Sequence, residues 1–284
     1  MSDKMKNLLI RTASGVVLIA IFFGAVLWSH WSFGALLLVI MLGCSAEYYR
    51  LCNGVGISPH KAIGFICNTV LFLISRGLLE TIIQSETVSF GVAALPLMLY
   101  FVIMLPTVFI CELWHKSATP IANIAATIAG VVYVAMPMSM LLILPQLLNP
   151  GKWEAAMLGY MAIVWGNDVF AYVAGSAFGR HKMAERISPK KTWEGFAGGV
   201  AGAVLIGWAM SLLVDGNAAV WCGLAAVTAV AGVAGDLVES MFKRSAGVKD
   251  SGRIMPGHGG WLDRFDALLI ATPFAFVYML LTLC

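Results

Sequence analysis

The chain opens with MSDKMKNLLIRTASGVVLIAIFF (Met1–Phe23), in which a basic patch runs directly into a long apolar segment. An apolar run of about 18 or more residues is long enough to cross a bilayer as a helix. No convincing small-residue cleavage site follows the run, so a retained first helix is expected rather than a signal peptide. Similar runs recur through the 284 residues, and the candidate spans fall near 8–28, 31–49, 61–83, 90–112, 121–148, 155–178, 195–214, 218–238 and 267–284. Composition agrees, because 60% hydrophobic residues lies well above the roughly 45–50% apolar usage of soluble domains. The runs are unbroken and lack the alternation of a barrel strand, so helices must satisfy the backbone inside the bilayer. The expected fold class is all-α: a polytopic integral membrane protein with about nine transmembrane helices and catalytic cytoplasmic loops in its C-terminal half. The second run is the weakest, apolar mainly from Trp31 to Cys44. The third carries Arg76 and Glu80 and is expected to be short or broken.

Charge placement orients these spans. With a cytoplasmic N-terminus and nine crossings, all but two of the 18 Lys and Arg residues fall on the inner side. The exceptions are Lys152 in an outer loop and Arg76 within a span. This bias is the positive-inside pattern, and it supports the number of crossings as well as their direction. The net charge of +3 carries no suggestion of nucleic acid, since no basic tract is interleaved with aromatics in the manner of a nucleic-acid groove. The six cysteines are scattered without a C-x-x-C pair, so they are expected to pack as small hydrophobes rather than build a disulfide or zinc framework. No tandem repeat or low-complexity segment is visible. Residues 1–154 are read as N-terminal transmembrane helices and 155–284 as the catalytic region, with a distinctive loop at 240–266.

That loop contains KRSAGVKDSGRIMPGHGGWLDRFD (Lys243–Asp266), with eight charged side chains and five glycines in a chain that is only 12% charged. Just before it, GDLVESMFKR (Gly235–Arg244) puts Asp236, Ser240 and Lys243 at i, i+4 and i+7, on one face of a helix. An acid, a hydroxyl and an amine in line at the cytoplasmic end of a span suit a metal and a phosphate. Lys243 and Arg244 also fit a helix end snorkelling into headgroups, but an intramembrane carboxylate such as Asp236 is costly and usually functional. Asp263 and Asp266, at i and i+3, suit a hard divalent cation, and equally the first turn of a helix, where the dipole favours acids. Between them and the helix, PGHGG (Pro256–Gly260) offers backbone that can approach a phosphate closely and turn N–H groups toward it. No Walker A loop is present. His258 fits either a structural hydrogen bond or a catalytic role.

A second cytoplasmic segment, GRHKMAERISPKKTWEG (Gly179–Gly195), holds five basic residues. Its Lys190 and Lys191 fit membrane anchors beside an interfacial Trp193, or groups that neutralise a polyphosphate or lipid headgroup. In the preceding span, Asn167 and Asp168 lie among apolar neighbours, which predicts the wall of a polar cavity rather than lipid exposure. Gly195, Gly198, Gly199 and Gly202 have the small-residue spacing of close helix packing.

The run SMFKRSAGVKDSGRIMPGHGGWLDRFD (Ser240–Asp266) resembles the signature of the phosphatidate cytidylyltransferases, the CDP-diacylglycerol synthases. It has a serine before Lys-Arg, then Lys-Asp, His-Gly-Gly and Asp-Arg-x-Asp at matching spacing. The segments NDVFAYVAG, FGR and ISPKKTWEGFAGG resemble that family's upstream block. Residues 160–270 carry the likeness, whereas the N-terminal half matches by hydropathy alone. Met255 and Trp261 stand where the pattern holds branched aliphatics or Phe, which alters packing rather than chemistry. The resemblance implies transfer of a cytidylyl group from CTP to phosphatidic acid by direct attack of the lipid phosphate. It makes Asp236 and Asp263 ligands of Mg²⁺, with Asp266 a third. Lys243, Arg244, Lys249 and Arg264 would hold phosphates, together with Lys190 and Lys191 from the other loop. Asp168, Ser240, His258, Gly259 and Gly260 complete the expected site. A second cation such as K⁺, a homodimer and a bacterial plasma (inner) membrane are further expectations from the resemblance. The alternatives are a CTP-dependent polyprenol kinase, a cytidylyltransferase for an isoprenoid ether lipid, and a transporter with a cytoplasmic gating loop. A transporter would spread midplane charge over several helices, which Asp168 and Arg76 alone hardly do.

Overall fold

Apolar runs too long for any loop become helices wherever the bilayer removes water as a hydrogen-bond partner. The computed structural model describes residues 3–84, 90–252, 254 and 259–283, with backbone alone at 3–13 and 90–93. The helices are α1 (Asp3–Trp28), α2 (His30–Gly54), α3 (Lys61–Gln84), α4 (Phe90–Glu112), α5 (Pro120–Gly130), α6 (Met136–Leu148), α7 (Trp153–Phe178), α8 (Trp193–Leu213), α9 (Ala218–Ser245) and α10 (Leu262–Leu283). A π-helical turn, Val131–Ala135, joins α5 to α6. Taking Pro120–Leu148 as one rod, eight helices among the described residues are long and apolar enough to cross a membrane, and α1 is apolar over Ser14–Trp28. This is the polytopic all-α architecture expected from the hydropathy, and the chain is a multi-pass membrane protein.

Four expectations change in detail. The third run is neither short nor broken, because α3 is continuous for 24 residues. Arg76 forms an ion pair with Glu80 one turn away, and its guanidinium lies 3.9 Å over the Trp31 ring. Pairing and a cation–π contact compensate the buried charge, so the helix is not interrupted. The second run is a full helix, since α2 continues to Gly54 beyond its most apolar part. The basic segment after α7 is not simply a loop. It folds as an antiparallel hairpin of β1 (Lys182–Ala184) and β2 (Ser188–Thr192), with Lys182 opposite Thr192. α9 and α10 also reach further toward the loop between them than hydropathy suggests, because their polar ends continue the helix.

The chain divides into two compact units. One comprises Met1–Ile143 with Ser245–Phe265, the other Leu144–Arg244 with Asp266–Cys284. In the first, Phe33, Leu37, Tyr49, Met138 and Leu141 form the buried centre. α4 is the most lipid-like face, with Val102, Ile103, Phe109 and Ile110 all exposed. In the second, Tyr160, Leu224, Leu268 and Leu269 are buried. There α7 and α8 pack closely, because the glycines of α8 remove side chains from the contact. A Cβ on Gly199 would lie 2.9 Å from the Asn167 carbonyl and 3.0 Å from Ala171 Cβ, and one on Gly198 would overlap Ala174. The small-residue spacing therefore serves helix packing, as expected.

Candidate active site

In the second unit, α9 arrays its polar residues as the helical period dictates. Ser240 Oγ lies 3.5 Å from Asp236 Oδ1, and Lys243 Nζ lies 2.6 Å from Glu239 Oε2 one turn earlier. α10 adds Asp266, and the carboxylates of Asp236, Glu239 and Asp266 offer oxygens that all lie within 4.8 Å of one another. Gly235 permits this approach, since a Cβ there would sit 2.5 Å from the Asp266 carbonyl. Glu239 is buried, whereas Asp236 and Asp266 are partly accessible. Three carboxylates this close repel strongly unless cations balance them. Lys243 faces Glu239, and Lys191 Nζ lies 2.6 Å from Asp236 Oδ2. Asp168 also acts electrostatically on Asp266, as do Asp236 and Lys243. Two lysines against four acids leave the cluster anionic, with hard oxygen donors suited to a divalent cation.

Beside this cluster lies a cavity of about 340 Å³, lined by Asp168, Tyr172, Lys190, Lys191, Thr192 and Phe196 among others. The hairpin delivers the two lysines. Thr192 ends β2 and caps α8, accepting the Gly195 N–H at 3.1 Å. Glu194, in the first turn of α8, accepts the Arg180 N–H at 3.1 Å and lies 2.6 Å from His181 Nδ1. Both ends of the hairpin are thus fastened to α8, which holds Lys190 and Lys191 over the cavity. Lys191 Nζ also donates to the Val233 carbonyl at 3.3 Å, tying the hairpin to α9. Asp168 lies exposed on the wall of this cavity, whose lining is otherwise largely apolar.

The first unit holds the signature loop. Asp263 Oδ2 accepts the backbone N–H groups of Ser251 at 2.9 Å and Gly260 at 2.7 Å. Glu47, a buried residue of α2, accepts the Ser251 hydroxyl at 2.7 Å and the Leu262 N–H at 2.9 Å. Gly259 has φ +85°, a conformation L side chains rarely adopt, and a Cβ there would collide with the Asp263 carboxylate. A Cβ on Gly252 or Gly260 would overlap the Glu47 carboxylate. The glycines therefore let the loop close around two acids. Trp261 packs over Gly43 of α2, which has no side chain to obstruct it.

Of the residues expected to act, Asp168, Lys190, Lys191, Asp236, Ser240, Lys243 and Asp266 come together in the second unit, and Arg244 lies exposed near the end of α9. Lys249, Gly259, Gly260, Asp263 and Arg264 belong to the first unit, where Lys249 and Arg264 are exposed. His258 lies outside the described residues. Two carboxylates escaped the sequence reading. Glu239 falls three residues after Asp236, on the same helix face, and Glu47 sits within an apolar run, where a charge is costly. Both signals are visible in GDLVESMFKR and CSAEYYR.

The model of the cytidylyltransferase family matches residues 9–282. The chain belongs to this family. It is 50% identical over 113 residues to the phosphatidate cytidylyltransferase of Staphylococcus aureus (strain COL), an overlap of 39% of this chain and 44% of that protein. The protein of that name from Staphylococcus saprophyticus is 49% identical over 113 residues, again 39% and 44% of the two chains. That from Staphylococcus epidermidis is 47% identical over 122 residues, covering 42% and 47%. The chain thus spans less than half the length of these curated relatives.

Proposed function

We propose that the chain transfers a cytidylyl group from CTP to phosphatidic acid, forming CDP-diacylglycerol and pyrophosphate. The observation that carries this reading is the convergence of Asp236, Glu239 and Asp266 beside a cavity walled by Lys190 and Lys191, in a cytidylyltransferase-family chain. The name of its relatives, phosphatidate cytidylyltransferase, supports the choice of lipid. A phosphate monoester is largely dianionic near neutral pH, so the nucleophile needs little help from a general base. The barrier is electrostatic, one anion approaching another. An oxygen of the lipid phosphate bonds to the α-phosphorus of CTP. The bond from that phosphorus to the α–β bridging oxygen breaks, and pyrophosphate leaves with the electron pair. No covalent enzyme intermediate is required.

The protein's part is then positioning and charge neutralisation. Lys190 and Lys191 hold phosphate groups in the cavity, and Lys243 offsets the buried Glu239. The clustered carboxylates fit Mg²⁺, which takes oxygen ligands and, when bound, neutralises the triphosphate and the departing pyrophosphate. Ser240 contacts the nucleotide or the polar shell of Asp236. The family resemblance adds Asp263 as a metal ligand, and Arg244, Lys249, His258, Gly259, Gly260 and Arg264 as nucleotide- and phosphate-binding groups. It also suggests a second cation such as K⁺ and a homodimer. The region from residue 155 onward supplies most of this chemistry, supported by residues 1–154. The positive-inside bias supports a cytoplasmic position for these loops, where CTP is available, and the proposed membrane is a bacterial plasma (inner) membrane.

The test is turnover in detergent. Purified protein given CTP, phosphatidic acid and Mg²⁺ is expected to release CDP-diacylglycerol and pyrophosphate in equal amounts. CDP together with a phosphorylated lipid would identify a kinase instead. Well-folded protein inert toward several lipid acceptors would refute nucleotidyl transfer.

A further inference from the structure

A second group of potential ligands lies in the first unit, apart from any residue used above. His60 stands immediately before α3, Glu112 ends α4, and His115 follows it by three residues. Their ligand atoms lie within 4.8 Å of one another. Glu112 Oε2 is 2.9 Å from His60 Nε2 and 3.3 Å from His115 Nδ1. The two imidazole rings stand 4.4 Å apart, centroid to centroid, inclined at 52°. From these contacts we propose that His60, Glu112 and His115 bind a divalent transition-metal ion of the zinc class, which staples the α2–α3 connection to the end of α4.

Three observations favour a cation over a simple histidine–carboxylate contact. First, His60 Nε2 is buried and makes no hydrogen bond among the described residues, although Glu112 Oε2 is only 2.9 Å away. The nitrogen is therefore near the oxygen without pointing at it, as expected when both converge on a third point. Second, the spacing suits the ion. Tetrahedral zinc with bonds of about 2.0–2.1 Å separates its ligand atoms by roughly 3.3–3.4 Å, close to the His115–Glu112 distance of 3.3 Å, while the 2.9 Å between His60 and Glu112 would have to open by a few tenths of an ångström. Two imidazoles and one carboxylate are also the donor types this metal class takes, with room left for water.

Third, the carboxylate is supported from behind. The other oxygen, Glu112 Oε1, accepts from Asn123 Nδ2 at 2.8 Å. Asn123 is fully buried, and its Oδ1 accepts the Ser58 N–H at 2.8 Å. The backbone N–H of His60 donates in turn to Thr127 Oγ1 at 3.0 Å, which fixes the residue's main chain. Such outer hydrogen bonds orient metal ligands, and their loss commonly weakens binding by about 10–100-fold. The Glu112 side chain is 3% exposed, whereas those of His60 and His115 are 20% and 35% exposed. The site is thus preorganised by buried groups and reached through the histidines.

The probe is Co²⁺, titrated into chelator-stripped full-length protein in detergent, with excess Mg²⁺ present to occupy the carboxylate cluster. The expected result is one equivalent of Co²⁺ with the intense visible bands of four-coordinate nitrogen–oxygen ligation, displaced by Zn²⁺. Zn²⁺ should also raise the melting temperature of the wild-type protein. His115→Ala, at a partly exposed position that folding tolerates, should weaken Co²⁺ binding by at least about 10-fold and abolish the thermal shift; Glu112→Gln should do the same. Absence of the bands in wild-type protein, or their persistence in folded His115→Ala, would overturn the assignment. Neither readout depends on cytidylyl transfer, so this site and the proposed reaction stand or fall separately.

Discussion

At the scale of single residues, Ser251 carries a specific burden. Its one hydroxyl hydrogen lies between two acceptors, Glu47 Oε2 at 2.7 Å and Asp263 Oδ2 at 2.9 Å. A hydroxyl donates one hydrogen, and Asp263 already receives two backbone N–H groups. The hydrogen therefore serves Glu47. Ser251→Ala is expected to leave a buried carboxylate short of a donor, costing about 1–3 kcal/mol. Thermal unfolding in detergent should register the loss, and an unchanged melting temperature would show that Glu47 has another source of compensation. The acids of α9 and α10 belong to a different balance. Glu239 is buried against Lys243, which makes it a poor candidate for removal without loss of folding. Asp266 is partly accessible and is the better position at which to probe chemistry.

At the scale of elements, the α7–α8 pair depends on absent side chains. Gly198→Val would drive a branched side chain into Ala174, and overpacking of this kind costs about 1–3 kcal/mol. The melting temperature should fall, and activity should fall with it, because α8 anchors the hairpin that carries Lys190 and Lys191. A variant that kept its stability would mean that the helices can separate without consequence. Much at this scale was legible in the sequence. Bilayer thickness converts apolar length into helices, and the glycine spacing of α8 predicts the close contact that is observed. Element ends were less legible, since hydropathy stops at the first charge whereas the helix does not. α9 continues through Lys243 and Arg244 to Ser245. The β1–β2 hairpin was not legible either, because its strands are short and polar and are held by Glu194 of the following helix and by Thr192, which caps that helix. α3 was misread for a physical reason: a charge within an apolar run looks disruptive until its partners, Glu80 and the Trp31 ring, are known.

At the scale of the whole molecule, charge asymmetry argues for the proposed orientation. In a cysteine-free background, single reporter cysteines at positions 116 and 185 should react with impermeant reagents only from the cytoplasmic face. One at position 152 should react only from the opposite face. The reverse pattern would invert the proposed topology and remove the loops from CTP. The candidate site was legible to the extent that its motif is local. Asp236, Ser240 and Lys243 share one helix and announce themselves by spacing. Glu47 lies some two hundred residues from the loop it secures, and pairing at that distance leaves no periodic trace. The His60–Glu112–His115 group is assembled from two separate connections and is equally silent in sequence. The central claim is that the carboxylates of α9 and α10 serve cytidylyl transfer. It is tested most directly with CTP labelled at the α-phosphate, comparing transfer to phosphatidic acid by wild-type protein and Asp266→Asn over a Mg²⁺ titration. The account predicts label in the lipid product of the wild type and at least about a 10²-fold lower rate in the folded variant. Near-wild-type transfer by Asp266→Asn, at the same Mg²⁺ dependence, would contradict it.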